Sequence, residues 1–458
     1  MSHARFTARL LAVASLVAPA ASSAADVEFE GWYRARMRLY DTLSIDRASA
    51  DSEGLSWFAR HRLWLRPRFL VTDDVSLTAD IRALDGVGFG DQPGVYVNPV
   101  QTAPPNYDER ALTVPTSTTD ADTALGDITL WRAWGEARTP IGRFSFGRMP
   151  LHWGAGIWLN DGLCADCDFG DTTDRIAWEY LVQDQVWVSG AVDFDSEGFL
   201  AEGDDTTAYD VAFAYRNEKV ETGLWATWTR APIRTYNLVS IDATFDAEMG
   251  NIRAAAEVIG QIGGGNLEED VNDVSIAAVG AVVDLSLDVA PWTARAQAGL
   301  ATGDNDITDN RLHAFTFDRD YSIGLALFEQ PMPTLAAAVA NEANGGRSTE
   351  LALTGEAISN AMFLKPTVAR ELVKGLSLEQ AWVGARVAKV PDSFGARRSY
   401  GMEFDTTVRY TGVEHFDASA SFLAFLPGSY YREYTDATRE GGFSGTVFGA
   451  QLHLRVDF

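Results

Sequence analysis

The stretch from Val27 to Tyr40 alternates between two kinds of side chain for fourteen residues. One kind is apolar or small, and the other is mostly polar or charged and includes Arg34, Arg36 and Arg38. Successive side chains of a β-strand point to opposite faces, so this strand faces two different environments. A tilted strand of about 9–11 residues crosses a bilayer, with lipid on one face and an aqueous lumen on the other. The pattern therefore predicts a membrane-spanning barrel strand with three arginines on its wet face.

The same alternation recurs along the chain and predicts about 18 strands. They span residues 27–40, 55–71, 75–84, 127–138, 142–149, 175–182, 185–194, 207–216, 219–230, 236–246, 251–262, 272–287, 292–301, 361–369, 376–390, 400–410, 416–426 and 443–458. Long and short connections alternate between them, and the longest cover residues 85–126, 150–174 and 302–360. Bacterial barrels have even strand numbers, short periplasmic turns and longer external loops. The sequence therefore predicts an all-β fold, a transmembrane antiparallel up-and-down β-barrel with long extracellular loops, short periplasmic turns and periplasmic termini.

The first 25 residues have the composition of a secretory signal peptide. Arg5 and Arg9 precede an apolar run over residues 10–18, and small residues follow over 20–25. This order of charged, apolar and small segments is typical of signal peptides. We expect residues 1–25 to be removed and residues 26–458 to form a barrel integral to the outer membrane of a Gram-negative bacterium. Its surroundings there would be outer-membrane lipid and lipopolysaccharide.

The last predicted strand ends on an aromatic residue. Phe448, Leu452, Val456 and Phe458 share one face of it. A C-terminal Phe after such an alternating strand resembles the signal that the outer-membrane assembly machinery reads in barrel proteins. Phe458 is therefore the predicted assembly signal, and that machinery is a predicted partner.

The composition fits a barrel and disfavours nucleic acid as a partner. The formal net charge is −27, and the chain contains 40 Gly, 13 Trp, 14 Tyr and 24 Phe. A strongly acidic chain repels polyanions. A large secreted β-sandwich or propeller is the alternative that composition leaves open.

Arginines are concentrated on the predicted lumen face. We interpret as pore-lining Arg34, Arg36, Arg38, Arg60, Arg62, Arg66, Arg68, Arg132, Arg138, Arg143 and Arg409, and we place Arg82, Arg253, Arg295 and Arg386 on the same face. Rings of arginine favour anions in pores, and the planar guanidinium group suits carboxylates. Acidic residues share this face, so cross-strand ion pairs that only brace the wall are the alternative.

Two acidic segments in predicted loops have further possible chemistry. Cys164 and Cys167 lie among several aspartates, and we expect a local disulfide in an oxidising compartment, with a redox role as the alternative. No His follows Cys167, which excludes the haem-attachment motif. Asp304, Asp306 and Asp309 form a second acidic cluster, and the aspartates of both clusters suit weak Ca²⁺ binding, with merely solvated loops as the alternative. No other cofactor is expected.

The segment 302–360 is too long for a passive connector. It contains an aromatic stretch over 315–321, an apolar run over 323–328 and a helix-like stretch over 334–344. That much apolar surface requires burial, so we expect the segment to fold into or over the barrel mouth and narrow the pore. A surface-displayed ligand-binding loop is the alternative.

The segment from Gly147 to Gly154, with the sequence Gly-Arg-Met-Pro-Leu-His-Trp-Gly, resembles the alginate-export family of outer-membrane porins. The resemblance implies an 18-stranded barrel with an arginine-rich lumen, occluding loops and passage of an anionic polysaccharide. The positions that match the family motif are Gly147, Arg148, Trp153, Gly154, Asp174 and Arg175. The loop with Cys164 and Cys167 departs from the family pattern.

The function expected from the sequence is an anion-selective outer-membrane channel, a porin or exporter, that passes anionic solutes or an anionic polysaccharide. The alternative is a structural or interaction barrel that anchors or sheathes partner proteins. An enzyme is not expected, because the chain shows no clustered nucleophile and we assign no catalytic residue.

Overall fold

The computed structural model describes residues 26–41, 55–84, 88–90, 128–196, 206–232, 235–266, 273–304, 310–330, 357–390, 398–432 and 445–458. The predicted signal peptide, most of the predicted loop 85–126, the helix-like stretch 334–344, Asp306 and Asp309 lie outside these residues.

The described residues form twenty strands and one short helix. The strands are β1 (Asp26–Asp41), β2 (Leu55–Leu70), β3 (Val75–Ala83), β4 (Gly88–Gly90), β5 (Ile128–Thr139), β6 (Gly142–Pro150), β7 (Thr172–Val182), β8 (Val186–Ser196), β9 (Thr206–Arg216), β10 (Val220–Ala231), β11 (Tyr236–Met249), β12 (Ile252–Gly265), β13 (Val274–Val289), β14 (Trp292–Ala301), β15 (Arg311–Leu312), β16 (Ala361–Val373), β17 (Leu376–Val387), β18 (Ser399–Val413), β19 (Phe416–Pro427) and β20 (Val447–Asp457), and the helix is α1 (Ser429–Arg432). Within this part of the chain, no helix has the length and apolar character needed to cross a membrane.

Eighteen of these strands close into an antiparallel barrel in which each strand pairs with its neighbours in the chain. The barrel closes where β1 pairs with β20, from Trp32 opposite Asp457 to Asp41 opposite Phe448. The short strands β4 and β15 are additions, on β2 and β13 respectively. The predicted all-β fold, an antiparallel barrel of 18 strands, is therefore confirmed, and all eighteen predicted strands are present with boundaries shifted by at most a few residues. The extracellular and periplasmic sides of its connections and termini stay predictions.

The two faces of the barrel wall differ as the alternation predicts. On β1, Met37 and Leu39 are exposed, whereas Arg34, Arg36 and Arg38 are buried. The same exposed apolar face continues on the other strands, for example through Val239, Ile241, Phe422 and Leu452. Since a closed barrel has one outer and one inner surface, the apolar side chains face outward and the arginines face inward.

Connections at one end of the barrel are short. Every second connection, beginning with the one between β2 and β3, has two to four residues. Tight connections between neighbouring strands fix the strand register and leave the long connections at the opposite end. Two of those long connections, over residues 151–171 and 313–330, are described in part or whole and contact inward-facing side chains of the wall.

The largest apolar cluster lies inside the barrel. Phe315, Phe317, Ile323, Leu327 and Ile358 are fully buried there. They form one cluster with inward side chains of the wall, including Tyr40, Phe58, Phe363, Val383, Tyr400 and Phe425. The described part of the segment 302–360 therefore fills part of the barrel interior.

The inward placement of Arg386 is wrong. On β17 the buried positions are Ala381, Val383, Ala385 and Val387, and Arg386 lies between them on the exposed outer face. The inner face of β17 is apolar here because it packs against the buried cluster rather than against water. Assigning polar residues to the lumen fails where a loop fills the lumen.

Candidate functional site

Four arginines are brought together on two adjacent strands. Arg34, Arg36 and Arg38 follow one another on the inner face of β1, and Arg62 on β2 lies directly opposite Arg34. Only 3% of Arg34 and 2% of Arg36 is exposed. Their positions are set by a strand that is hydrogen-bonded on both sides, by β2 and β20. The wall therefore presents a fixed, buried array of guanidinium groups.

This array binds residues 151–171, which we call the first inner loop. Arg34 donates to the carbonyl oxygens of Ala165, at 2.9 Å, and Cys167, at 2.7 Å. Arg36 donates to the carbonyl of Asp166 at 2.9 Å, and Arg62 to that of Asp168 at 2.6 Å. Four consecutive backbone carbonyls are thus satisfied by three arginines.

The side chain of Asp168 enters the centre of the array. Its Oδ1 accepts from Arg34 and its Oδ2 from Arg36, so that the carboxylate bridges the two guanidinium groups. Burial raises the pKa of Asp168, but the charges of Arg36, Arg34 and Arg62 outweigh that effect and hold the pKa well below its ordinary value. Asp168 is therefore a carboxylate at all ordinary pH values.

The backbone around Asp168 is held independently of its side chain. Residues 313–330 form the second inner loop, and its Asp320 accepts from the backbone N–H groups of Asp168, at 2.6 Å, and Phe169, at 3.0 Å. Cys164 and Cys167 form a disulfide with a Cα–Cα distance of 5.1 Å. Asp166 also bonds His453 of β20, with 3.0 Å between Oδ1 and Nδ1.

Two further arginines continue the array on β3 and β5. Arg82 donates to the carbonyl of Phe169 at 2.8 Å. Arg132 is fully buried and donates to the carbonyls of Asp161 and Asp171, at 2.8 and 2.7 Å. We call the five residues Arg34, Arg36, Arg62, Arg82 and Arg132 the basic wall. Its shared property is that every member binds backbone carbonyls of the first inner loop.

Buried carboxylates on other strands bind the inner loops through backbone N–H groups instead of carbonyl groups. Glu403 of β18 accepts from the N–H groups of Leu325, Ala326 and Leu327, at 2.6, 3.0 and 2.7 Å. Glu257 of β12 accepts from the N–H group of Ala155. We call Glu257 and Glu403 the acidic wall. Both residues are fully buried and bind backbone donors rather than acceptors.

Other predicted pore-lining arginines are paired with carboxylates. Arg38 binds Glu329 of the second inner loop, and Arg66 donates two hydrogen bonds to Asp80, at 2.6 and 2.9 Å. The remaining pairs are Arg68 with Glu28 and Glu136, Arg143 with Glu136 and Glu179, and Arg409 with Asp417. Arg60 is half-buried and lies 5.5 Å from the ring centre of Phe58, and Arg138 is exposed near the end of β5. Pairing along the wall is therefore extensive.

The residues singled out by the family resemblance lie around the start of the first inner loop. Arg148 binds Asp174 on the neighbouring strand, at 2.9 and 2.6 Å, and Arg175 binds both Asp193 and Asp210. Trp153 packs edge-on against Trp225, with ring centres 5.3 Å apart. Gly147 and Gly154 have positive φ values, and a side chain at Gly154 would collide with Glu257. These residues lie at the two ends of the loop, and the pair of Arg148 and Asp174 shares the face of β6 and β7 that carries the exposed Phe146 and Ile176.

Two other predicted sites fall elsewhere. Phe458 exchanges backbone hydrogen bonds with Gly31, at 2.8 and 2.9 Å, next to the seam that closes the barrel. Asp304 is buried and accepts from the N–H group of His313 at 3.0 Å. Among the described residues, no group of three or more His, Cys, Asp or Glu side chains could hold a metal ion. Calcium binding at Asp304, Asp306 and Asp309 stays a prediction, since two of the three lie outside the described residues.

The anchoring roles of Asp168, Asp320 and Glu403 were not predicted from the sequence. The aspartates around the cysteines were interpreted as calcium ligands or solvated loop residues, yet Asp168 is 14% exposed at its side chain and bound by two arginines. The sequence does contain both an acidic loop and an arginine-rich strand, whose opposite charges favour a contact. It does not by itself show that the two segments meet.

No protein-family model and no curated protein sequence matches the chain. Solved structures of OccK and Opd porins from Pseudomonas aeruginosa do match it in fold. OccK9 (OpdG) matches with a TM-score of 0.53 at 10% identity, over 94% of this chain and 99% of that chain. OpdQ has a TM-score of 0.53 at 8% identity, covering 94% and 98%.

A third match is OccK2 (OpdF) in complex with glucuronate, with a TM-score of 0.51 at 10% identity, over 94% of this chain and 98% of that chain. These three structures are OccK and Opd porins and do not support the alginate-export family specifically, so that resemblance stays a prediction. The chain shares the closed barrel fold of these outer-membrane porins.

Proposed function

We propose that the protein is an integral outer-membrane channel, rather than an enzyme, and that it passes small organic anions bearing carboxylate groups. The exposed apolar face of the barrel would contact the lipid of a membrane that also contains lipopolysaccharide. The short connections and both termini would lie on the periplasmic side, as in bacterial barrels. The long connections, including both inner loops, would then enter the barrel from the outside.

The observation that carries this proposal is the charge of the basic wall. The described acceptors of Arg34 and Arg36 are one carboxylate and three neutral backbone carbonyls. Within this set of contacts, positive charge exceeds negative charge. A positive group in a confined, low-dielectric lumen attracts anions far more strongly than it does in bulk water.

Carboxylates are the anions that this wall fits best. Arginine offers a planar fork of donors that binds both oxygens of a carboxylate, as Arg66 does with Asp80. The glucuronate bound to the structurally similar OccK2 porin is a sugar carboxylate of the same class. This supports a small carboxylate as the solute of this channel.

The inner loops favour a small solute over a polymer. The apolar cluster of the second inner loop and the arginine-bound backbone of the first both occupy the barrel interior. An extended polysaccharide needs a continuous groove along its whole length, whereas a small solute needs only gaps between side chains. Passage of an anionic polysaccharide, which the family resemblance implies, is therefore the second form of this proposal.

Solute entry into liposomes tests the proposal. We expect vesicles that contain the protein and the potassium carrier valinomycin to swell faster in isotonic potassium glucuronate than in glucose, although glucuronate and glucose are similar in size. A soluble oligouronate of several sugar units should enter slowly or not at all, and rapid entry of that oligomer would favour the polysaccharide form. Equal rates for glucuronate and glucose would contradict an arginine-based preference.

A charge-deleted variant makes the test specific. Arg34→Gln with Arg36→Gln should lower the ratio of glucuronate to glucose rates, whatever it does to the absolute rates. Arg253→Gln is the matched control, because Arg253 is half-exposed and pairs with Asp246 near a short connection. A ratio that falls equally in both variants would show that the effect is not local to the basic wall.

The extensive ion pairing favours one competing function, a structural barrel that anchors partner proteins. Arg38, Arg66, Arg143 and Arg175 all bind carboxylates, as expected for side chains that only brace a wall. This function predicts no solute entry in the same vesicles and stable co-purification with a partner protein.

A further inference from the structure

We propose that Asp168 is an internal ligand that occupies a carboxylate-binding site formed by Arg34 and Arg36, and that a small carboxylate solute competes with it for this site. Each oxygen of the Asp168 carboxylate contacts a different arginine. Such a bridge is the contact that a free carboxylate would make with the same two groups.

The site belongs to the barrel wall and not to the loop. Arg34 and Arg36 lie two residues apart on one face of β1, which is paired with β2 and β20 along its length. Both arginines are at least nine-tenths buried. Their separation is therefore fixed by strand geometry and does not depend on where Asp168 lies.

The loop would remain in place without the Asp168 carboxylate. Its backbone carbonyls at 165–168 are bound by Arg34, Arg36 and Arg62, and Asp320 binds the N–H groups of Asp168 and Phe169. The Cys164–Cys167 disulfide closes the same turn. Truncation of Asp168 should thus leave a gap of carboxylate size, lined by two charged and desolvated donors.

The charge of the site determines what would fill that gap. With the Asp168 carboxylate removed, Arg34 and Arg36 would retain two positive charges in a buried setting, which is strongly unfavourable without a counter-anion. A carboxylate of matching size restores both bridging contacts. Burial raises the pKa of Asp168, but the charges of Arg36 and Arg34 hold it well below its ordinary value. This is consistent with tight binding of the ionised form.

This inference rests on the proposed function for its physiological meaning, because the competing solute would have to enter the lumen. Asp168 would then determine specificity: a solute must displace an attached carboxylate, so only solutes that offer a carboxylate or a comparable anion would gain access to the arginine pair. Neutral solutes of similar size would pass without that exchange.

Chemical rescue tests the binding site without requiring conduction. Asp168→Ala removes the carboxylate and leaves Cβ, so formate replaces the missing atoms and acetate is one methyl group larger. In the purified protein in detergent, we expect the variant to unfold at a lower temperature than the wild type. Formate should recover most of that loss in a saturable way, acetate less, and chloride at equal ionic strength little.

Two variants control the rescue. Asp174→Ala deletes a carboxylate that pairs with Arg148 on a half-exposed face, and formate should not restore its Tm. Adding Arg36→Met to Asp168→Ala should abolish the rescue. Equal responses to formate in the wild type, Asp168→Ala and Asp174→Ala would overturn the proposal, as would full rescue in the double variant.

If Asp168→Ala does not fold, Asp168→Asn keeps the shape of the side chain and removes its charge. We then expect formate and acetate to reduce the single-channel current of Asp168→Asn at lower concentrations than in the wild type; equal concentration dependence would overturn the proposal. Rescue by formate without anion flux would support the carboxylate-binding site and overturn the proposed channel function. Anion-selective flux without rescue would support the channel and overturn the carboxylate-binding site.

Discussion

The basic wall and the acidic wall hold the inner loops by opposite backbone groups. Arginines on β1, β2, β3 and β5 bind carbonyl oxygens of residues 161–171, whereas Glu403 binds N–H groups of residues 325–327. Buried backbone groups require partners, and a loop inside a barrel cannot obtain all of them from regular secondary structure. Each wall supplies the hydrogen-bond donors or acceptors that its loop segment lacks.

The difference between the walls has a functional consequence. One Glu403 carboxylate satisfies three neutral N–H groups, so its negative charge is delocalised over a compact nest of donors. The arginines mostly meet carbonyls, which carry only partial charge, while Arg34 and Arg36 also bind Asp168 and Arg132 also binds Asp80. We propose that they keep enough of their field to attract a mobile anion, so that the wall that anchors the first loop also binds solute.

The largest effect should follow from removing one arginine of the basic wall. Arg36→Met deprives Asp168 and the carbonyl of Asp166 of a donor in buried surroundings. Loss of one partner of a buried ion pair costs about 3–5 kcal/mol. Amide hydrogen exchange of the first inner loop should accelerate by roughly a hundredfold or more, at about 1.4 kcal/mol per tenfold change.

Arg295→Met is the control for that variant. Arg295 pairs with Asp284 on a half-exposed part of the wall, where an ion pair contributes about 1 kcal/mol or less. Unchanged exchange of residues 159–171 in Arg36→Met would mean that the basic wall does not anchor this loop.

A smaller effect is expected at the acidic wall. Glu403→Gln keeps one acceptor oxygen but loses the charge that binds three N–H groups, at a cost of about 1–3 kcal/mol. Exchange should accelerate at Leu325, Ala326 and Leu327 and stay unchanged at residues 165–168. Glu379→Gln, an exposed position on the neighbouring strand β17, serves as control. Equal acceleration in both inner loops would show that the two walls do not act separately.

The disulfide should contribute less than the arginines to the first inner loop. It closes a loop of only four residues, for which chain entropy predicts about 2 kcal/mol at most. In Cys164→Ser with Cys167→Ser, the exchange of residues 159–171 should increase less than in Arg36→Met. The opposite order would place the main anchor in the disulfide.

The smallest effect is expected from mild acid. Because its pKa in the folded protein lies well below the ordinary value of about 3.9, Asp168 contributes stability that is present above that value and is lost only as the pH falls through the lower folded pKa. Burial raises the pKa of Asp320, which binds the N–H group of Asp168, so the contribution of Asp168 is isolated by comparing the wild type with Asp168→Asn. The ratio of the protection factors of residues 165–168 in the two proteins, corrected for intrinsic exchange rates, should be the same at pH 7 and pH 4. A marked fall of this ratio by pH 4 would show that Asp168 is not held as an ion pair.

The wall of the barrel was predictable from the sequence, whereas its contents were predictable only in part: burial of the segment 302–360 was expected, but the contacts that hold the inner loops were not. On β1, period-two alternation alone places Arg34 and Arg36 inside and Met37 outside, because the two faces meet different solvents. On β17 the same rule places Arg386 on the wrong face, since the inner side of Val383 and Val387 meets a folded loop instead of water.

The contacts that anchor the inner loops could not be predicted from local sequence patterns. The contact between Asp168 and Arg34 joins residues more than a hundred positions apart, and nothing in either segment encodes the other. The apolar run at 323–328 did indicate that the segment must be buried, but not that Glu403 would bind its backbone. Such pairings depend on the depth to which each loop enters the barrel.

We propose that the basic wall keeps a positive field inside the lumen after it has bound the first inner loop. The reversal potential of the purified protein in a planar bilayer under a potassium chloride gradient measures this field directly. We predict a reversal potential of the sign given by preferential chloride passage, moving toward zero in Arg34→Gln with Arg36→Gln. A cation-selective reversal potential in the unmodified protein would contradict a positive field in the lumen.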